Sequence, residues 1–294
     1  MTLALLAGVS PVQAAPHADL AAAGELAPTE APAPLRCLTL HYPVRALQEG
    51  GAWWLLLPDG ARVPYDDGRV KDFETKLAQP DVEDAFSQPY PRGPIVPVTT
   101  PDQDPGRIRV EPLFAAVYGK ERAAVQVESL PFLGRTLQIN RRAAPAFARV
   151  ERRLAALLVS QPGLRAFLQD LGGTFVWRKI AGTDRQSAHS YGVSLDINVK
   201  RSHYWRWQGG GPPRWQNSIP QPIVDAFEAE GFIWGGRWYH YDTMHFEYRP
   251  ELLDPRCGSS PQRATGNRGA DAALAIPGEP PRPPRPSRAA ETAR

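Results

Sequence analysis

Two periodicities divide this chain. Val193, Leu195, Ile197 and Val199 alternate with Ser194, Asp196 and Asn198, the period of a strand with one apolar and one polar face. Met244-His245-Phe246-Glu247-Tyr248 reads as a second short strand, Phe232-Ile233-Trp234 as a third that turns at Gly235-Gly236, and Thr174 to Arg178 as a fourth. Between 143 and 171 the period is helical. Phe147, Val150, Leu154, Leu157 and Leu158 form one apolar stripe. Pro162 starts a second helix carrying Leu164, Phe167, Leu168 and Leu171, and Gly172-Gly173 stops it. Pro220 to Glu230 is a further helix with Ile223, Val224 and Phe227 inward and Gly231 at its end. From Leu38 to Pro97 the pattern is β-like, with a hairpin predicted from Trp53–Leu57 through Pro58-Asp59-Gly60 to Ala61–Pro64. The expected fold is α+β: a small antiparallel sheet with flanking helices, and a β-rich N-terminal accessory region.

Composition shifts suggest the boundaries. Residues 1–15 read as a secretory signal, with an apolar run from Leu3 to Val9 and a small-x-small site at Val12-Gln13-Ala14, although a basic start is missing. Residues 16–36 form an Ala, Pro and Glu rich lead-in expected to be flexible, 37–125 the accessory region, and 126–254 the catalytic region. Residues 255–294 form a Pro and Arg rich tail with too few apolar positions to order itself. A proline-rich stretch over 89–106 is a linker or a strapped loop.

The net charge of +3 excludes little until it is located. From Pro255 onward seven arginines face only Asp271, Glu279 and Glu291, so the remainder of the chain is near neutral. Such a remainder gives no case for nucleic-acid binding, which wants a basic patch on the domain. No run of 18 apolar residues predicts a membrane span. Asp66, Asp67 and Asp84 match no calcium-loop spacing and read as solvated turn carboxylates.

The candidate chemistry lies in two clusters. Ser187-Ala188-His189-Ser190-Tyr191-Gly192 runs into the alternating strand, so a histidine and Asp196 are seven positions apart. The strand's apolar set can enter a core, leaving Asp196 on the polar face, and Gly192 lets the chain turn so that His189 folds back to that face. His240-Tyr241-Asp242-Thr243-Met244-His245 supplies a second imidazole and a spare acid. Two imidazoles and one carboxylate form the three-ligand set of a catalytic zinc site, which keeps a position for water and lowers its pKa to roughly 7. Asp242, three residues before His245, stands where it could take that water's proton.

Ser187-Ala188-His189, Gly192, Asp196 and Asp242-Thr243-Met244-His245 resemble the M15 family of zinc peptidases, in a branch that also carries Trp177-Arg178 and Gly182-Thr183. The family includes D-alanyl-D-alanine carboxypeptidases, D,D-dipeptidases and L-alanyl-D-glutamate endolysins. The resemblance spans about residues 170 to 250, is weaker over 40 to 170 and is absent in the tail. It implies Zn2+ bound by His189, Asp196 and His245. It makes Asp242 the base, where many members have glutamate, Arg178 the neutraliser of a substrate or transition-state oxygen, and Ser187 a hydroxyl near the site. Arg185 competes with Arg178 for a substrate carboxylate, because a guanidinium recognises that group bidentately. Tyr191 and His240 are further candidates for contacting the substrate or supporting the ligands.

The implied substrate is a peptidoglycan stem peptide, and the expected setting is the periplasm or the secreted fraction, with the chain a monomer. Cys37 and Cys257 bracket the folded region, and in an exported protein they form a candidate disulfide. Tyr204, Trp205, Trp207 and Trp215, beside the run Gly209-Gly210-Gly211-Pro212-Pro213, suggest a loop over the cleft. A non-catalytic peptidoglycan-binding protein that keeps the fold is the alternative. A lysostaphin-like metallopeptidase fits less well, since the H-x-x-x-D and H-x-H spacings are absent from these two clusters.

Overall fold

The computed structural model describes residues 28–257. The signal-peptide expectation and all but Pro255–Cys257 of the tail lie outside them. The first half carries α1 (Ala33–His41), β1 (Arg45–Glu49), β2 (Ala52–Leu56), β3 (Arg62–Pro64), α2 (Phe73–Ala78), α3 (Val82–Ala85) and α4 (Glu111–Tyr118). Then follow β4 (Val127–Phe132), β5 (Arg135–Asn140), α5 (Ala144–Ser160), α6 (Arg165–Leu168), β6 (Ser194–Asp196), α7 (Gln221–Glu228), β7 (Phe232–Trp234), β8 (His245–Tyr248) and α8 (Pro250–Leu253). Every sheet is antiparallel: β1-β2-β3, the hairpin β4-β5, and β6-β8-β7.

The third sheet positions the site, and its alternation matches the sequence. Leu195 and Phe246 pair across β6 and β8 and are fully buried. Phe246 stacks on Phe227 of α7 at 3.9 Å, and Phe232 of β7 meets Phe147 of α5 edge-on at 4.6 Å. These are the inward stripes read from the two long helical patterns. The opposite face carries Ser194 and Asp196 on β6 against Glu247 and His245 on β8.

The predicted β2–β3 hairpin forms, with Leu55 opposite Val63. The N-terminal region is otherwise mixed rather than β-rich. Helix α1 begins at Ala33, inside the stretch read as a flexible lead-in, and buries Leu35 and Leu38. Helices α2 and α3 arise within the stretch read as β-like, because Asp72 caps the Thr75 amide at 2.8 Å and Asp81 and Asp84 form a reciprocal capping box. Asp84 is therefore not a solvated turn carboxylate. Asp81 and Asp84 are each 3% exposed, and Lys71 Nζ reaches Asp67, Asp81 and Asp84 at 2.8, 2.9 and 2.7 Å. Of the acids singled out there, Asp66 stays exposed and accepts the Gly68 amide. The expected strand at Thr174–Arg178 is also absent. The segment is extended but makes only isolated contacts, such as the Val176 amide to the His189 carbonyl, because no neighbouring strand runs beside it.

One hydrophobic cluster includes Leu35, Leu38 and Leu55 together with Phe114, Phe147 and Phe246. The proline-rich stretch is a strap across the β7–β8 region. Tyr90 donates to Glu228, Trp238 Nε1 donates to the Pro105 carbonyl and Arg249 donates to the Gly106 carbonyl. Cys37 and Cys257 are joined by a disulfide, their Cα atoms 5.2 Å apart. Among the described residues no helix is long and apolar enough to cross a membrane.

Candidate active site

Three elements bring His189, Asp196 and His245 together. Asp196 and His245 are direct partners in the β6–β8 register. His189 lies in the one-turn 3-10 helix Ala188–Tyr191, which Gly192 ends at φ 67°. A side chain there would be strained, and its Cβ would lie 3.0 Å from the Asn140 amide. His189 Nε2 and His245 Nδ1 each lie 3.1 Å from Asp196 Oδ1. Ligands at about 2.1 Å from one tetrahedral zinc stand roughly 3.4 Å apart, so this spacing suits donors converging on a common ion.

The orphaned atoms support the same fit. His189 Nε2 is buried and has no hydrogen-bond partner, although Asp196 is within ion-pair distance: the two atoms are close but not aimed at each other. His189 Nδ1–H donates to the Thr174 carbonyl at 3.1 Å, which leaves the Nε2 lone pair toward the cluster. His245 has the opposite arrangement. Its Nε2 faces Glu247 Oε2 at 3.4 Å, and its Nδ1 faces Asp196. Glu247 in turn lies 3.5 Å from both Arg109 and Arg249. A divalent cation fits this donor set, and zinc suits its two imidazoles and one carboxylate.

The electrostatics follow from burial and pairing. Burial alone would raise the Asp196 carboxyl, yet His189 and His245 hold it well below the carboxylate range. Burial opposes a charged His245, but its hydrogen bonds to Asp196 and Glu247 hold it up at about 10 in the metal-free site. Asp242 goes the other way. Burial and the Asp196 charge push it up to about 7, and its Oδ1 is buried without a partner. Asp242 is placed by close backbone approach: its amide donates to the Gly235 carbonyl at 2.9 Å. A Cβ on Gly235 would stand 2.4 Å from the Asp242 carbonyl oxygen, which explains a glycine at the end of β7.

These groups line a cleft of about 370 Å³. Arg178 is exposed on its wall, and its guanidinium has no hydrogen-bond or ion-pair partner among the described residues. Ser187, Arg185 and His240 also line it, as do Tyr204, Trp205 and Trp207 of the expected loop. Trp215 instead anchors that loop, donating to the Gly236 carbonyl. Tyr191 turns away from the cluster toward a larger lobe, where its hydroxyl meets Glu111 at 3.3 Å. His240 is held off the metal donors by Asp104, which accepts its backbone amide at 2.9 Å and its Nδ1–H at 2.7 Å.

Asp104, Arg107, Arg109 and Glu111 escape a reading that treats the N-terminal region as accessory. A signal exists, because Arg107, Arg109 and Glu111 alternate with Ile108 and Val110, which are buried. Glu247 was equally legible, two residues beyond His245 on the same strand face.

Residues 181–248 match a family model described as D-alanyl-D-alanine carboxypeptidase, an M15 peptidase family. The matched segment holds all three candidate metal donors and Asp242, ends at the last residue of β8, and excludes Arg178 and residues 104–111. No solved structure gives a significant match to the chain.

Proposed function

We propose that this chain is a zinc-dependent peptidase that hydrolyses peptidoglycan stem peptides, as a D-alanyl-D-alanine carboxypeptidase or an L-alanyl-D-glutamate endopeptidase. The observation that carries the reading is the convergence of His189 Nε2, Asp196 Oδ1 and His245 Nδ1 beside the unpartnered Asp242 Oδ1. The family match to a D-alanyl-D-alanine carboxypeptidase model supports the substrate class.

When bound by His189, Asp196 and His245, zinc would polarise the scissile carbonyl and acidify a water. Asp242 accepts the proton that the attacking water loses and delivers it to the nitrogen that leaves, so one water is consumed and an acid and an amine are produced. Its buried Oδ1 has no hydrogen-bond partner among the described residues and is left to hold that proton. Arg178, whose guanidinium has no partner among the described residues, lines the cleft and would face charge that develops on the carbonyl oxygen. Thr174 and Glu247 hold the two imidazoles in the tautomers that present a lone pair to the cluster. The disulfide supports work in the oxidising cell envelope.

The test is mass spectrometry of defined stem peptides incubated with the purified chain, with zinc and with a chelator. Zinc-dependent loss of one terminal D-alanine identifies the carboxypeptidase, and a cut after the first L-alanine the endopeptidase. Absence of cleavage in every metal state overturns the reading in favour of a non-catalytic wall-binding protein.

A further inference from the structure

Of the five buried side-chain polar atoms without a partner among the described residues, three line the cleft: His189 Nε2, Asp242 Oδ1 and Arg185 Nε. The first two belong to the metal donors and the base. The third is a hydrogen-bond donor on a permanent cation, and it calls for an anion or another acceptor.

The neighbouring arginines show why Arg185 is unusual. Arg107 pairs with Asp104, Arg109 with Glu111 at 2.6 Å, and Arg249 with Glu251 at 2.6 Å. Glu247 is shared between Arg109 and Arg249. Among the described residues Arg185 has no carboxylate within ion-pair distance. Its Nη2 donates to the Arg107 carbonyl; Arg109 and Arg107 are the like charges near it, and the nearby Glu111 and Glu247 are engaged by other arginines. A half-buried guanidinium without a directly paired counter-anion is costly in the free protein. A ligand carboxylate reverses that cost and forms charge-assisted, bidentate hydrogen bonds.

The place is also specific. Arg185 stands where the 370 Å³ cleft opens into a second lobe of about 710 Å³, and the two share Arg107, Ile180, Arg185, Tyr204, Trp205 and His240. The second lobe is built partly by α2 and α4, through Leu77, Glu111 and Pro112. The N-terminal region therefore helps hold the arginine through the Arg107 carbonyl and lines the second cavity with it.

We propose that Arg185 binds the free carboxylate carried by the substrate residue whose nitrogen leaves, and so makes the enzyme select a free acid beside the scissile bond. This rests on the peptidase reading above. The same chemistry has two sources in a stem peptide: the terminal carboxylate of D-alanine, or the α-carboxylate of D-glutamate after L-alanine. Arg178, an exposed residue of the cleft wall whose guanidinium is unpartnered among the described residues, is left for the reacting oxygen.

The experiment compares free-acid and carboxamide forms of two peptides, one ending in D-alanyl-D-alanine and one containing L-alanyl-D-glutamate. In the zinc-loaded wild type, kcat/KM should favour the acid over the amide by roughly 10- to 150-fold, the worth of a charge-assisted contact. The preferred peptide identifies the source. Arg185→Met should collapse that ratio toward one, and Arg185→Lys should retain part of it. Zinc content and binding of D-alanine against D-alaninamide are measured in parallel by calorimetry. A wild type that cleaves acid and amide equally overturns the proposal and leaves the peptidase reading intact. A wild type that cleaves neither but binds the acid at least 10-fold better, with the preference lost in Arg185→Met, overturns the peptidase reading and supports the carboxylate site. An acid preference that survives in Arg185→Met and in Arg185→Lys unchanged assigns the carboxylate elsewhere.

Discussion

His245 sits directly opposite Asp196 across the β6–β8 pair, and its far nitrogen meets Glu247, two residues along its own strand. One register thus sets both a metal donor and the acceptor that orients it. Glu247→Gln keeps the shape but weakens that acceptor. Zinc affinity, read by competition with a chelator, should fall about 10- to 100-fold. Unchanged affinity would mean that Asp196 alone orients the ring.

Asp242→Asn tests the base. Zinc should remain bound, and kcat should fall roughly a hundredfold or more. Activity near that of the wild type would assign the proton to another group.

The same variant has a stability signature in the metal-free protein. Asp242 titrates near 7 in the fold, above the ordinary carboxylate range of the unfolded chain. The fold therefore holds this proton more tightly than the unfolded chain. The stabilisation is complete below the unfolded value and is lost as pH rises toward 7. Asn cannot ionise, so Asp242→Asn should melt progressively higher than wild type between pH 5 and pH 8, by thermal scans with chelator present. Parallel melting curves across that range would show that Asp242 is already ionised at little cost.

The disulfide spans 220 residues and ties α1 to the turn after α8. Closing so long a loop limits the unfolded chain by up to about 5 kcal/mol, with strain reducing the gain. The Cys37→Ser, Cys257→Ser double variant should lose 2 to 5 kcal/mol, in the usual range, by urea titration. A loss under about 0.5 kcal/mol would show that the ends hold without the bridge.

Lys71 is a buried ammonium among Asp67, Asp81 and Asp84. Lys71→Met strands buried carboxylates and should destabilise by about 3 to 5 kcal/mol. Because α2 helps to wall the larger lobe through Leu77, stem-peptide KM should rise with it. Normal stability would place those acids in water.

The candidate metal donors could be singled out because strand alternation is local. Val193 to Val199 has one way to bury its apolar set, and that leaves Asp196 on the other face with Ser194. The helices at 144–160 and 221–228 were legible for the same reason. Thr174–Arg178 failed because a strand needs a partner, and pairing is a tertiary fact. Asp84 failed because turn and helix-cap chemistry use the same residues, and only a buried Lys71 distinguishes them.

By itself the sequence determined the strands β6, β7 and β8 and the helices behind them, and it singled out the candidate donors and base they carry, since each rests on a short-range period or motif. Tertiary structure alone decided which buried guanidinium lacks a paired counter-anion among the described residues, which carboxylate loses water, and that Gly106, Arg107 and Arg109 line the cleft more than 70 positions before His189. Desolvation and charge pairing depend on what the fold brings near, and no local pattern encodes that neighbourhood.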